Sequence, residues 1–92
     1  TNDVQAAGAV TQAYAMGLEV PGDISITGFD DISLARATHP PLTTIQVPHK
    51  AMGTQAAQMV LDLLSDQPIQ SSVLDAPLVI RDTTGPVASY FI

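Results

Sequence analysis

Gly17-Leu18-Glu19-Val20-Pro21-Gly22-Asp23-Ile24-Ser25-Ile26-Thr27-Gly28-Phe29-Asp30-Asp31 is the stretch on which the fold turns. Gly17 supplies a left-handed cap to a preceding helix, Pro21-Gly22-Asp23 makes a turn, and Ile24 to Phe29 alternates as a strand does. A short β-branched strand reached from a helix through a short loop belongs to a parallel sheet covered by helices. The strand runs directly into Asp30 and Asp31. In open α/β sheets ligands bind outside the carboxyl ends of strands, so this acidic pair marks the candidate functional edge.

Upstream, Asn2 and Asp3 are good helix caps, and Val4, Ala7, Val10, Tyr14 and Leu18 form one apolar stripe behind them. The pattern predicts a helix over residues 3–16. Downstream, residues 31–37 allow a short helical turn that His39-Pro40-Pro41 must end, because proline disfavours helix in the residue before it. A second strand is expected over residues 42–47. Met52, Ala56, Met59 or Val60, and Leu63 or Leu64 then repeat at helical spacing, with Gln55, Gln58 and Asp62 as the polar face, which predicts a helix over 50–65. Met52 and Met59 read as core packing of that helix. Val73-Leu74 and Leu78-Val79-Ile80 read as extended segments, and the Thr/Gly/Pro-rich tail from Thr83 as loosely held.

A chain of 92 residues allows one domain at most and buries a modest share of its surface. Its 46% hydrophobic and 13% charged residues fit a globular α/β chain with a core. Three basic residues against nine acidic ones, a formal charge of −6, leave no Lys/Arg patch for nucleic acid phosphates. The absence of cysteine excludes disulfides and thiolate metal sites. No apolar run approaches the roughly 18 residues that span a bilayer, so the chain reads as soluble. It opens on a helix-start signal without an introductory strand, which suggests a piece of a larger protein.

Adjacent side chains on an extended strand point to opposite faces, so Asp30 and Asp31 cannot both aim at one ligand unless the chain bends between them. Asp30 is expected to face the ligand and Asp31 to cap the turn that follows, accepting backbone N–H groups. Both also fit a reading as solvated loop residues. A carboxylate at a strand end accepts two hydrogen bonds in one plane and suits hydroxyl-rich or N–H-rich ligands such as sugars. Asn2 adds an amide that donates and accepts, beside its role as a cap; the two readings can coexist. His39 and His49 lack metal-ligand spacing and acidic neighbours, so no metal site is expected. No Gly-x-Ser-x-Gly elbow, Gly-x-Gly-x-x-Gly loop or phosphate loop is present, and no catalytic function or cofactor is expected.

Asn2-Asp3 opening an Ala/Gly-rich helix, the stretch from Gly17 to Asp31, Pro40-Pro41-Leu42-Thr43-Thr44-Ile45, Gly53 with the helix to Leu64, and Leu78-Val79-Ile80-Arg81-Asp82-Thr83-Thr84 follow one another in a specific order. In that order and spacing the chain resembles the LacI/GalR family of bacterial transcription regulators. The resemblance implies the last third of a two-lobed, periplasmic-binding-protein-like effector domain (type I), with parallel sheet and flanking helices. Residues 1–46 would lie mainly in the C-terminal lobe, 47–75 would form an N-terminal-lobe helix and connection, and 76–92 a return strand and tail. It carries effector contact to Asp30 and Asn2, and a dimer interface to Ala7, Val10, Ala37 and Thr38, small residues that equally suit a helix core. Members often place a glutamine where Val47 stands, which puts polar contact from that segment in doubt. The implied partners are a small-molecule effector, most simply a sugar or sugar derivative, a second copy of the chain, and operator DNA through a helix-turn-helix domain outside these residues. No membrane is implied, and the implied compartment is the cytoplasm.

Two rival readings remain at this level. A periplasmic sugar-binding protein of a transport system shares the fold and differs by a secretion signal instead of a helix-turn-helix domain. An Mg²⁺-dependent phosphoryl-transfer domain could use Asp30 and Asp31 as oxygen ligands, although the pair is the only one of its required acidic parts visible.

Overall fold

The computed structural model describes residues 1–89 and divides the chain into two compact units, one of Thr1–Gln46 with the segment from Pro77 onward, the other of Val47–Ala76. In chain order the elements are α1 (Asp3–Ala15), α2 (Leu34–Ala37), β1 (Thr44–Ile45), α3 (His49–Leu64) and β2 (Leu78–Val79).

Helix α1 starts on a capping box: Gln5 N–H donates to Asn2 Oδ1 at 2.9 Å and Asn2 N–H to Gln5 Oε1 at 3.2 Å. It ends at Gly17, whose φ of 80° only glycine adopts without strain. The buried face is Asp3, Ala6, Val10 and Ala13; of the expected stripe Val10 is buried and Leu18 packs against its cluster, while Val4 and Tyr14 face outward. The alanines let the helix backbone approach its neighbours closely: Ala6 clusters with Ala35 of α2 and Leu42, with Ile26 packed against them, and Val10 and Ala13 cluster with Val20, with Leu18 and Ile26 packed against them.

The stretch from Ile24 to Asp30 runs parallel to residues 43–46, with bridges at Thr27 to Thr43 and Asp30 to Gln46 and bonds from Gly28 N–H to Thr43 O (2.9 Å) and Asp30 N–H to Ile45 O (3.0 Å). The expected parallel pairing is therefore present, but as isolated bridges. The returning strand β2 pairs antiparallel to β1, Thr44 opposite Val79 and Ile45 opposite Leu78. Val73 and Leu74 form no strand.

The segment after β2 corrects the expectation of a loose tail. Thr83 is fully buried: its Oγ1 donates to Ile26 O (2.6 Å) and accepts from Thr43 N–H (2.9 Å), while Ile26 N–H donates to Thr83 O (2.9 Å). Thr84 Oγ1 lies 3.0 Å from Thr43 Oγ1, and Gly85 N–H donates to Ser25 Oγ at 3.0 Å. A hydroxyl can join two backbone segments at once, which is why a threonine-rich stretch that reads as polar coil is held in the core. Of that tail, Tyr90 to Ile92 lie outside the described residues.

In the second unit, α3 buries none of its residues. Met52 is exposed, correcting its assignment to the core, and Met59 is only half-buried; Val60, Leu61, Leu63 and Leu64 are also exposed. The connection after the helix is joined to it by Gln55 Nε2 donating to Ser72 Oγ at 2.7 Å.

Candidate functional site

The site is built around Asp3. Its N–H donates to Phe29 O (3.2 Å), its Oδ2 accepts from Ile32 N–H (2.8 Å), and its Oδ1 accepts from Thr44 Oγ1 (2.6 Å). One fully buried residue at the start of α1 thus grips the chain on both sides of Asp30-Asp31 and ties it to β1. Gly28 is glycine because of this approach: a Cβ there would collide with Asp3 Oδ1 and lie 2.8 Å from Leu42 Cδ2. Asn2, the cap of α1, directly precedes Asp3.

The chain bends at the acidic pair. Asp30 has φ 129° and Asp31 φ 59°, both in the region that side chains other than glycine rarely occupy. Each such residue costs on the order of 1–3 kcal/mol and persists only where its surroundings over-determine it. Asp30 is half-buried at the end of the parallel segment.

Asp31 does not cap the following turn. The Ile32 N–H goes to Asp3 instead, and the Asp31 side chain, 1% exposed, turns toward cations. Its Oδ1 accepts from Arg81 Nη2 at 2.8 Å, and its Oδ2 accepts from Gln46 Nε2 at 3.0 Å and from Arg36 Nη2 at 3.4 Å. Arg81 also donates from Nη1 to Leu42 O (3.0 Å) and from its backbone to Thr43 Oγ1 (2.9 Å). Burial, the largest single influence, favours the neutral acid. It is outweighed by the hydrogen bonds from Arg81 and Gln46 and by the charges of Arg81 and Arg36 together, so the Asp31 carboxyl titrates below the ordinary aspartate range.

Of the residues read as a dimer interface, Val10 is 4% exposed and lies in the core with Ala13 and Val20, so it presents no surface. Ala7 and Thr38 are half-buried and Ala37 is exposed. The reading of the sequence missed Asp3 as anything but a cap, and gave no role to Arg81, Gln46 or Thr44. Arg81 carried one usable signal, a cation among only three in an acidic chain, placed directly after an apolar strand.

An extended segment in parallel register with its neighbour, ending in a bent acidic turn against a helix N-terminus, is an α/β arrangement, and the chain belongs to the periplasmic binding protein-like domain family, which matches residues 1–84. Its relatives are the regulators whose motifs the sequence resembles. The transcriptional repressor CytR of Escherichia coli K12 is 44% identical over 85 residues, which cover 90% of this chain and 25% of that protein. The solved structure of the lac repressor dimer bound to operator and the anti-inducer ONPF superposes with a TM-score of 0.86 at 35% identity, covering 91% of this chain and 30% of that one. The transcriptional regulator CelR in complex with cellobiose gives a TM-score of 0.83 at 27% identity, covering 90% and 26%. The chain spans about a quarter of the length of the curated relatives it matches.

Proposed function

We propose that this chain is the C-terminal portion of the effector-binding and dimerisation domain of a bacterial DNA-binding transcription regulator, and that its effector is a sugar or sugar derivative. Residues 1–46 belong mainly to the C-terminal lobe, 47–75 to the N-terminal lobe, and 76–92 to the return strand and tail. The division of the chain at Gln46 and Pro77 supports this assignment. Asp30 and Asn2 contact the effector. The observation that carries this reading is the double grip of Asp3 on Phe29 and Ile32, which sets the start of α1 beside the bent acidic turn. A carboxylate and an amide fixed together accept from and donate to neighbouring hydroxyls of one ring.

The domain works by binding, without catalysis, in the cytoplasm. Effector binding favours one arrangement of the full domain over another, and that differential affinity is what alters a dimer's grip on operator DNA. The dimer face includes Ala7, Ala37 and Thr38, where exposed Val4 and Leu34 add apolar surface on α1 and α2. The repressors among the relatives favour this reading over a transport protein.

The test begins with thermal shifts of the full-length protein against mono- and disaccharides, ribose and cellobiose included, and nucleosides. The compound giving the largest shift is then titrated by calorimetry. Asp30→Ala is expected to weaken binding by about 1.5–3 kcal/mol, a charge-assisted hydrogen bond lost in a cleft. Unchanged affinity rejects Asp30 as a contact.

A further inference from the structure

We propose that Arg81 is a positioning residue for the effector-binding turn, acting through Asp31, with Gln46 as the second anchor; the link to effector rests on the reading of Asp30 given above. Arg81 is fixed at three points, on Leu42 O, Thr43 Oγ1 and Asp31 Oδ1, and its side chain is 15% exposed. Such a fixed fork sets the direction of the carboxylate it holds. Arg36, 61% exposed and 3.4 Å from the same carboxylate, is a weaker third partner.

The turn needs such a clamp, because two successive non-glycine residues at positive φ do not hold that shape by themselves. Asp3 fixes Phe29 and Ile32 on either side, and Asp31 fixes the middle. The identity of the anchors adds a consequence. Gln46 immediately precedes Val47, where the chain leaves the first unit, and Arg81 follows Pro77, where it returns. One side chain from each crossing therefore ends on the single carboxylate next to Asp30. A change in either crossing is felt at the turn, and by reciprocity occupancy of the turn is felt at both crossings.

Amide hydrogen exchange on the full-length protein tests the clamp without any ligand. In Arg81→Met the Asp30 N–H, bonded to Ile45 O, and the Ile32 N–H, bonded to Asp3, are expected to exchange at least tenfold faster, while amides of Val10 to Ala13 in α1 keep their rates. Arg81→Lys restores part of the protection, and Gln46→Ala gives a smaller rise at the same two amides. Removing one partner of a buried ion pair can prevent folding, so Arg81→Lys and Asp31→Asn carry the measurement if Arg81→Met does not fold. Wild-type exchange at residues 30 and 32, or a rise matched throughout α1, overturns the proposal. With the compound selected by thermal shift, Arg81→Lys is expected to weaken affinity about tenfold, and to add nothing to the loss caused by Asp30→Ala. Additive losses overturn the route through Asp30. Unchanged affinity in Asp30→Ala alone refutes the binding role of Asp30, and the exchange rates then decide the clamp separately.

Discussion

At the residue scale the molecule turns on two buried carboxylates with different work. Asp3 binds a backbone N–H and a threonine hydroxyl and so fixes the chain path. Asp31 binds two arginines and a glutamine and so fixes the bend. The second arrangement has a pH signature. Folded Asp31 titrates below its unfolded value, so its contribution to stability is complete above the ordinary aspartate range and is lost as pH falls through the folded value. Urea midpoints of the full-length protein are expected to fall as pH drops below the ordinary aspartate range, and Asp31→Asn is expected to flatten that fall while lowering the plateau above it. An identical slope in the variant would assign the acid sensitivity to other groups.

At the element scale the fold depends on the segment after β2 more than its composition suggests. Thr83 satisfies Thr43 N–H and Ile26 O through one hydroxyl, and both lie in or beside the core. Thr83→Val keeps the shape and leaves both backbone groups unpaired, at about 1–3 kcal/mol each. A loss of roughly 2–5 kcal/mol in denaturant unfolding of the full-length protein is expected. Thr84→Val, which removes a single half-buried side-chain contact, is expected to cost about 1 kcal/mol or less. Comparable effects of the two substitutions would contradict the role given to Thr83. Helix α1 shows the same economy of size: Ala6, Val10 and Ala13 form its buried face because small side chains permit close approach, and the larger Val4 and Tyr14 are left outside.

At the scale of the whole chain, exposed apolar surface is the dominant feature. Helix α3 buries no residue, and Leu64 is 78% exposed at its end. The isolated 92-residue chain is expected to self-associate or melt without a sharp transition and to bind an apolar dye, measured by ultracentrifugation and fluorescence. A monomer with a cooperative melt would count against this. Periodicity and punctuation in the sequence determined the order of the helices, the extended segments that hold β1 and β2, the caps at Asn2 and Gly17, and the place of the acidic turn, because each rests on neighbours along the chain. The same signals also suggested an extended segment at Val73-Leu74, which forms no strand, and a full strand before Asp30, which pairs only through isolated bridges. The order and spacing of the motifs determined the family. The tertiary structure alone decided which α1 residues are buried, that Asp3 and not Asp31 receives the turn's N–H, that Thr83 is a core residue, and that Arg81 and Gln46 meet Asp31. These contacts join residues 29 to 57 positions apart, or 15 for Gln46, and local pattern carries no information about which distant donor reaches a given carboxylate.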